Sequence, residues 1–203
     1  MKIICIGRNY VEHAAEMKSE VPEKPVWFMK PQTAIINKNQ PFYYPDFSKE
    51  IHHEVEVVVK IKKAGKHIQE KFAHLYYDEI SIGLDLTARD LQAEAKKKGL
   101  PWEIAKAFDG SAPLGKFVSL SEFENIQNID FRLLKNGEII QASNTKNMIF
   151  SVDKLISYVS QFVSLKIGDL IFTGTPKGVG PVKIGDKLEA YLGEKLLLKT
   201  LVK

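Results

Sequence analysis

Ile51-His-His-Glu54-Val-Glu56-Val-Val-Val-Lys60-Ile61 is the stretch on which the fold turns. In steps of two, Ile51, His53, Val55, Val57, Val59 and Ile61 face one way. His52, Glu54, Glu56, Val58, Lys60 and Lys62 face the other. A period of two held over a dozen residues predicts one long β-strand. Glu54 and Glu56 then project from the same face. Two like charges side by side are unfavourable unless a cation lies between them. A solvated strand face would remove the conflict, but Val55, Val57, Val58 and Val59 imply burial on both faces nearby. A buried, unpaired carboxylate pair is expensive. A hard divalent metal resolves it.

Working outward, residues near 69–77 read as a helix and Ile80 to Leu86 as a second apolar strand. Asp85 lies at the end of that strand, where a carboxylate can leave the core and become a third ligand. Its alternative reading is an N-cap for the next helix, but Thr87, with Asp90 three residues on, is placed for that task. The helix runs to Gly99, with Pro101 as a stop signal. Phe131–Leu134 and Ile139–Ala142 flank Asn136-Gly137, a strong hairpin signal. Val152–Val163 has helical spacing, Leu170–Phe172 is a strand, and a Gly/Pro-rich loop spans Thr173–Pro181. Two strands around Gly193-Glu194 close the chain. Many strands with few, non-alternating helices predict an α+β fold with a β-rich core.

Three oxygen ligands, with no cysteine or histidine cluster, favour Mg²⁺ or Mn²⁺ over Zn²⁺, with Ca²⁺ as a substitute. Three carboxylates around a divalent ion leave one net negative charge, so an anionic substrate needs nearby cations. Arg8, Arg89 and Lys106 are the candidates, and Lys106 sits in the apolar stretch Ile104–Phe108. His13 and Glu16, three apart, meet on one helical turn. That is a general-base dyad in form, or an ordinary surface pair.

The 203 residues fit one domain, 1–203, and 44% apolar residues supply a real core. Met1–Ile6 carries only four apolar residues before Gly7-Arg8, too few for an export signal, so it reads as a strand. No run approaches the ~18 apolar residues of a membrane span. The single Cys5 cannot form an intrachain disulfide, and a reducing cytoplasm is the expected setting. The net charge is +4, yet only three of the 29 basic residues are arginines. Without clustered arginines or aromatic platforms a nucleic-acid partner is not expected. The Lys96-Lys97-Lys98 run reads as a solvated helix end.

Three near-motifs fail. Gly110–Lys116 copies GxxxxGK, but Phe117 stands where a hydroxyl should hold Mg²⁺. His53-Glu54 begins HExxH, but Val57 replaces the second histidine. Gly7 has no GxGxxG around it.

Five blocks in order resemble the fumarylacetoacetate hydrolase family. They are Gly7-Arg-Asn-Tyr10 with His13-Ala-Ala-Glu16 and Lys30-Pro31; His53-Glu-Val-Glu56; Gly83-Leu-Asp-Leu-Thr-Ala-Arg-Asp90 with Gln92; Lys98-Gly-Leu-Pro-Trp102 with Lys106, Phe108 and Asp109; and Thr173-Gly-Thr-Pro-Lys-Gly-Val-Gly-Pro181. The resemblance implies a mixed-sheet, β-roll-like catalytic domain and a homodimer. It implies Mg²⁺ or Mn²⁺ on Glu54, Glu56 and Asp85, and a His13–Glu16 dyad on a lid of about residues 11–25. Lys106 would be catalytic, with Arg8, Arg89, Gln92 and Thr175 as substrate contacts; Arg89 could equally brace the metal carboxylates. The chain opens directly on the catalytic block, without the N-terminal domain of true fumarylacetoacetases, which argues against tyrosine catabolism.

The branch it resembles is that of acylpyruvate hydrolases and oxaloacetate decarboxylases. The expected activity is metal-dependent hydrolysis of a C–C bond in a small anionic 2-oxo acid, an acylpyruvate or fumarylpyruvate, to pyruvate and a carboxylate. Related branches isomerise or decarboxylate diacids or tautomerise oxaloacetate. A non-catalytic metal-stabilised fold would need neither His13 nor Lys106.

Overall fold

The computed structural model describes residues 1–17, 19–36 and 40–203; Lys18, inside the expected lid, lies outside them. Its architecture is mixed α+β. A central six-stranded sheet runs in the order Val26–Lys30, Ile3–Gly7, Leu170–Phe172, Val55–Ile61, Tyr77–Leu84, Val118–Ser119. Ile3–Gly7 is parallel to Leu170–Phe172, which is antiparallel to Val55–Ile61, itself antiparallel to Tyr77–Leu84. The C-terminal ends of three strands and the N-terminal end of Val55–Ile61 therefore meet at one edge. Arg8, Thr173, Glu54 and Asp85 each stand one residue beyond those ends. That edge is where the site forms.

The long strand expected from Ile51 is two strands. Ile51–His53 belongs to a three-stranded sheet between Gly180–Pro181 and Thr87–Ala88, and Val55–Ile61 to the central sheet. Glu54 is the joint. Periodicity reports burial, and here both strands are buried, so a change of sheet leaves no mark on the pattern. The segment near 69–77 is a 3₁₀ turn, Glu70–Tyr76, and the following strand starts at Tyr77 rather than Ile80.

Thr87 does not cap the helix that follows α1 (Val11–Glu16), namely α2 (Arg89–Lys98). Ala88 occupies the N-cap, and buried Thr87 bonds to Asp85 and Lys106 instead. Gly99 ends α2 in the left-handed region at φ 66°, as a C-terminal glycine should. Two short helices carry site residues: Val11–Glu16, and Glu103–Lys106 just past Pro101.

A four-stranded sheet, Glu138–Asn144, Asp130–Lys135, Lys187–Leu192, Lys195–Leu201, packs on the central one. Asn136 (φ 56°) and Gly137 (φ 90°) make its tight hairpin, both in the left-handed region such a turn demands. The helix Val152–Phe162 buries Val152, Leu155, Ile156 and Val159 against this core, and Ser151 caps it through Lys154 N–H. Cys5 is buried. Among the described residues no helix is long and apolar enough to cross a membrane.

Candidate active site

Glu54, Glu56 and Asp85 are 5%, 1% and 1% exposed, and each offers an oxygen within 4.8 Å of the others'. Three buried carboxylates this close repel unless cations intervene. Lys106 Nζ supplies one, bonding Glu54 Oε2 (2.8 Å), Asp85 Oδ2 (2.7 Å) and Thr87 Oγ1 (2.6 Å). All three ammonium hydrogens are thereby used. The side chain expected to face the substrate's developing charge instead holds two of the acidic groups.

Arg89 is the second cation. Its Nη2 donates to Glu54 Oε1 (2.5 Å), its Nη1 to Gln92 Oε1 (2.6 Å), and its Nε leans on His52 (3.4 Å). This geometry is that of a brace. The third cation, Lys30, escaped the sequence reading as a site residue. Its Nζ lies 2.8 Å from Asp85 Oδ1 and is further held by Ser111 Oγ (2.9 Å) and the Lys106 carbonyl. The contact with Asp85 is one of charge, since Asp85 Oδ1 has no aligned hydrogen bond. Three cations thus match three carboxylates, and a divalent ion would leave the cluster positive rather than negative.

The charges are unevenly shared. Burial alone would raise the Glu54 carboxyl, but Lys106, Arg89 and His13 hold it well below the usual carboxylate range. Glu56 goes the other way. Burial pushes it up, with Asp85 and Glu54 adding repulsion, and the Gly174 N–H on its Oε2 (2.8 Å) is too weak to offset them. Burial would lower Lys106, yet Asp85 and Glu54 hold its ammonium above the ordinary range. Hard oxygen donors, like charge and an acid without an ion pair among the described residues fit a divalent metal.

Gly174 reaches Glu56 because it has no side chain. It sits at φ 100°, and a Cβ there would lie 2.7 Å from Asn9 Cβ. Asn9, also missed, ties Gly7-Arg8 to the loop by donating to the Thr173 and Phe150 carbonyls. Arg8 itself is a non-glycine residue at φ 59°, a strained conformation of the kind that collects at functional sites.

His13 Nδ1 is 3.1 Å from Glu16 Oε2, and Glu16 Oε1 accepts the Gly178 N–H at 3.0 Å. One carboxylate thus joins the short helix Val11–Glu16 to the loop that carries Thr175. A single cleft is lined by nine of the ten residues proposed from sequence: Arg8, His13, Glu54, Glu56, Asp85, Arg89, Gln92, Lys106 and Thr175. Glu16 stands behind His13. Phe28, Trp102 and Lys96 also line the cleft, with Ile6, Gly7, Met17 and Ser19.

Beneath Thr175 lies Gln141, buried on the second sheet and not anticipated. It accepts from Val55 N–H (3.0 Å), contacts His53 Nδ1 (3.0 Å) and donates to Thr175 Oγ1 and the Pro176 carbonyl (both 3.0 Å). Burial lowers the His53 imidazole to about 4, so it is neutral at physiological pH. Two isolated signals could have flagged these residues: a glutamine on a strand with apolar neighbours, and a lysine ending the apolar strand Val26–Lys30.

The profile of the fumarylacetoacetate hydrolase C-terminal domain matches residues 2–202. The human mitochondrial oxaloacetate tautomerase FAHD1 is 45% identical over 188 residues, 93% of this chain and 85% of its own length. Oxaloacetate tautomerase YcgM of Escherichia coli K12 is also 45% identical, over 92% of this chain and 86% of its own. The crystal structure of a fumarylpyruvate hydrolase from Pseudomonas aeruginosa, in complex with Mn²⁺ and pyruvate, superposes with a TM-score of 0.94 at 37% identity. That match covers all of this chain and 89% of the other. Fold, site and sequence agree that the chain belongs to the fumarylacetoacetate hydrolase family.

Proposed function

We propose that this protein is a divalent-metal-dependent enzyme acting on enolisable 2-oxo acids. The reaction we assign is hydrolysis of the C3–C4 bond of an acylpyruvate or fumarylpyruvate. The carrying observation is that the His13–Glu16 dyad opens onto the same cleft as the three converging carboxylates. Glu54, Glu56 and Asp85 would hold Mg²⁺ or Mn²⁺, and the relative bound to Mn²⁺ and pyruvate supports that choice. Bound there, the ion supplies Lewis-acid polarisation of the 2-oxo group.

The chain's own residues supply the rest. Glu16 on Nδ1 fixes the His13 tautomer and leaves Nε2 to act as base. In hydrolysis, His13 takes a proton from a water that attacks the C4 carbonyl. The C3–C4 bond then breaks, its electron pair passes to an enolate, and His13 returns the proton. Lys106 and Arg89 keep Glu54 ionised throughout, and Thr175 and Arg8, which line the same cleft, would orient the anionic head.

A second reading is tautomerisation of oxaloacetate, in which His13 moves a proton at C3 and no bond between carbons breaks. The names of the mammalian and bacterial relatives favour it. Decarboxylation of oxaloacetate would need the same enolate without the attacking water. The test is a panel of acetylpyruvate, fumarylpyruvate, oxaloacetate and enol-oxaloacetate, with Mn²⁺ or Mg²⁺ and with chelator. Pyruvate and a carboxylate from the first two support hydrolysis, whereas ketonisation of the enol alone assigns the tautomerase.

A further inference from the structure

Arg89 is held at three points, and the third of these has a partner of its own. Nη2 and Nη1 go to Glu54 and Gln92, while Nε lies 3.4 Å from His52 Nδ1. An arginine nitrogen donates and never accepts. His52 Nδ1 is therefore the acceptor, and the imidazole proton sits on Nε2. Glu50 Oε1 accepts there, at 2.8 Å. Two contacts on opposite sides of one ring select a single neutral tautomer.

The backbone brings these groups together. Ile51 pairs with Ala88 and His52 with Thr87 across an antiparallel ladder. One step further, the Arg89 N–H donates to the Glu50 carbonyl at 2.8 Å. Residues two apart on a strand share a face, and diagonal cross-strand neighbours are within reach of long side chains. Glu50, His52 and Arg89 thus converge on one side of the ladder. The Glu50 side chain is half-exposed, but the Asp90 carboxylate anchors the backbone just before it through Ser48 Oγ and Lys49 N–H. His52 keeps only 14% of its side chain exposed.

The consequence falls on Glu54. Both its oxygens already carry a cation, Arg89 on Oε1 and Lys106 on Oε2. A carboxylate has about four lone-pair sites, so these two donors decide which are left for a metal. Lys106 is fixed by three acceptors. The Arg89 guanidinium can turn about its Cδ–Nε bond unless Nε is held as well. We propose that His52 is a positioning residue: as the tautomer selected by Glu50, it fixes the plane of the Arg89 guanidinium and, through it, the aim of Glu54 at the metal. This rests on the metal site of the reading given above and extends that site outward to Glu50. Partners of metal ligands commonly set metal affinity in this way.

The experiment has two arms, both on the full chain. In the first, Mn²⁺ is titrated calorimetrically into wild type, His52→Asn and His52→Leu. The asparagine amide oxygen can take the place of Nδ1, whereas leucine fills the space without an acceptor. His52→Leu is expected to weaken Mn²⁺ binding about tenfold, the lower end of what such outer partners contribute. His52→Asn is expected to recover most of that loss. In the second arm, nitrogen NMR of the imidazole rings in the metal-free protein reports which nitrogen carries the proton, and the signals lost in His52→Asn assign the ring. A protonated Nε2 and a bare Nδ1 are expected, and this arm tests the tautomer even if His52→Leu does not fold. Equal weakening in both variants makes His52 a packing residue, and an unchanged affinity in His52→Leu removes its role. A proton on Nδ1 breaks the link to Arg89. Each of these overturns the proposal while leaving the metal reading intact. A wild type that binds no Mn²⁺ defeats the metal reading itself, and the proposal with it.

Discussion

Gln141 Nε2 donates to Thr175 Oγ1 over 3.0 Å, and this one bond decides which way the threonine hydroxyl acts. The amide cannot be reversed, because its oxygen accepts from Val55 N–H and its nitrogen donates to the Pro176 carbonyl. Thr175 Oγ1 is thus an acceptor toward the core, and its own hydrogen is free to donate into the cleft. Such a donor suits a carboxylate or 2-oxo oxygen.

Gln141→Glu tests this polarity. It preserves the acceptor for Val55 but offers Thr175 an acceptor where it had a donor, drawing the hydroxyl hydrogen away from the cleft. We expect KM for any 2-oxo acid to rise about tenfold, the value of one hydrogen bond to a charged group, with kcat less affected. In a Thr175→Val background the same change should add nothing to KM. Additive effects would mean that Gln141 acts only through packing.

Removing one of the buried acids should separate metal binding from folding. Among the described residues Glu56 has no ion pair, and repulsion from Asp85 and Glu54 outweighs the weaker attraction of Lys106, so Glu56→Gln relieves repulsion in the metal-free protein. Metal-free Glu56→Gln is expected to melt at or above metal-free wild type. Mn²⁺ should raise the Tm of wild type by mass action and leave that of the variant nearly unchanged. A variant that melts lower without metal, or responds to Mn²⁺ as wild type does, contradicts this account of the triad.

The hairpin at Asn136-Gly137, the helix stop at Gly99 and the helix Val152–Phe162 were legible because each is written in local chemistry: left-handed turn residues, or a repeat of 3.6. Glu54, Glu56 and Asp85 were legible because acids embedded among valines and isoleucines are anomalous at any register. What could not be read was tertiary. Thr87 has the residues of a capping box, yet Lys106 claims its hydroxyl from another segment. Lys30 matters only because folding sets it against Asp85. The break at Glu54 is invisible because strands buried in two different sheets share one hydrophobic pattern.

Asp90 illustrates a local motif put to another use. Its carboxylate accepts from Ser48 Oγ (2.7 Å), Lys49 N–H (2.9 Å) and Leu91 N–H (2.9 Å), pinning the 48–50 loop to the start of α2. Slight burial would raise this carboxyl, but these donors outweigh it and hold it below the ordinary 3.8. A lowered carboxyl stabilises above its unfolded value and loses that contribution as pH falls through the folded one. Asp90→Ala should therefore cost about 1 kcal/mol near neutrality, the net worth of such hydrogen bonds at a partly solvated site, and converge on wild type in acid, below the ordinary aspartate range. Melts across that interval check it. A constant difference at every pH would show that packing, not charge, is lost.

The segment from about Val11 to Pro25 holds the dyad, and its described links to the rest include Glu16 to Gly178 and the exposed Glu12–Lys177 pair. Exposed pairs contribute little, so this segment should open more readily than the buried strand Val55–Ile61. Hydrogen exchange is expected to be faster there in the free enzyme and to slow when Mn²⁺ and oxalate are added. Exchange as slow as that of Val55–Ile61, and indifferent to oxalate, would remove the lid.

The base itself distinguishes the chemistries. Acyl hydrolysis needs His13 to activate water, tautomerisation needs it to move a proton at C3, and decarboxylation needs chiefly an electron sink. At saturating Mn²⁺, His13→Ala should lower acylpyruvate hydrolysis and enol-oxaloacetate ketonisation by about 10²–10⁴, the usual contribution of a general base. Oxaloacetate decarboxylation should fall less, because that reaction has no water for His13 to activate and loses only the return of a proton to the enolate. Glu16→Gln, which keeps an acceptor for Gly178 but weakens the charge behind His13, should give a smaller loss in the same two reactions. Glu56→Gln should depress all three together, because it acts on the metal site they share. If His13→Ala leaves hydrolysis and ketonisation intact while Glu56→Gln abolishes them, His13 and Glu16 are an ordinary paired turn at the rim and the base lies elsewhere in the cleft.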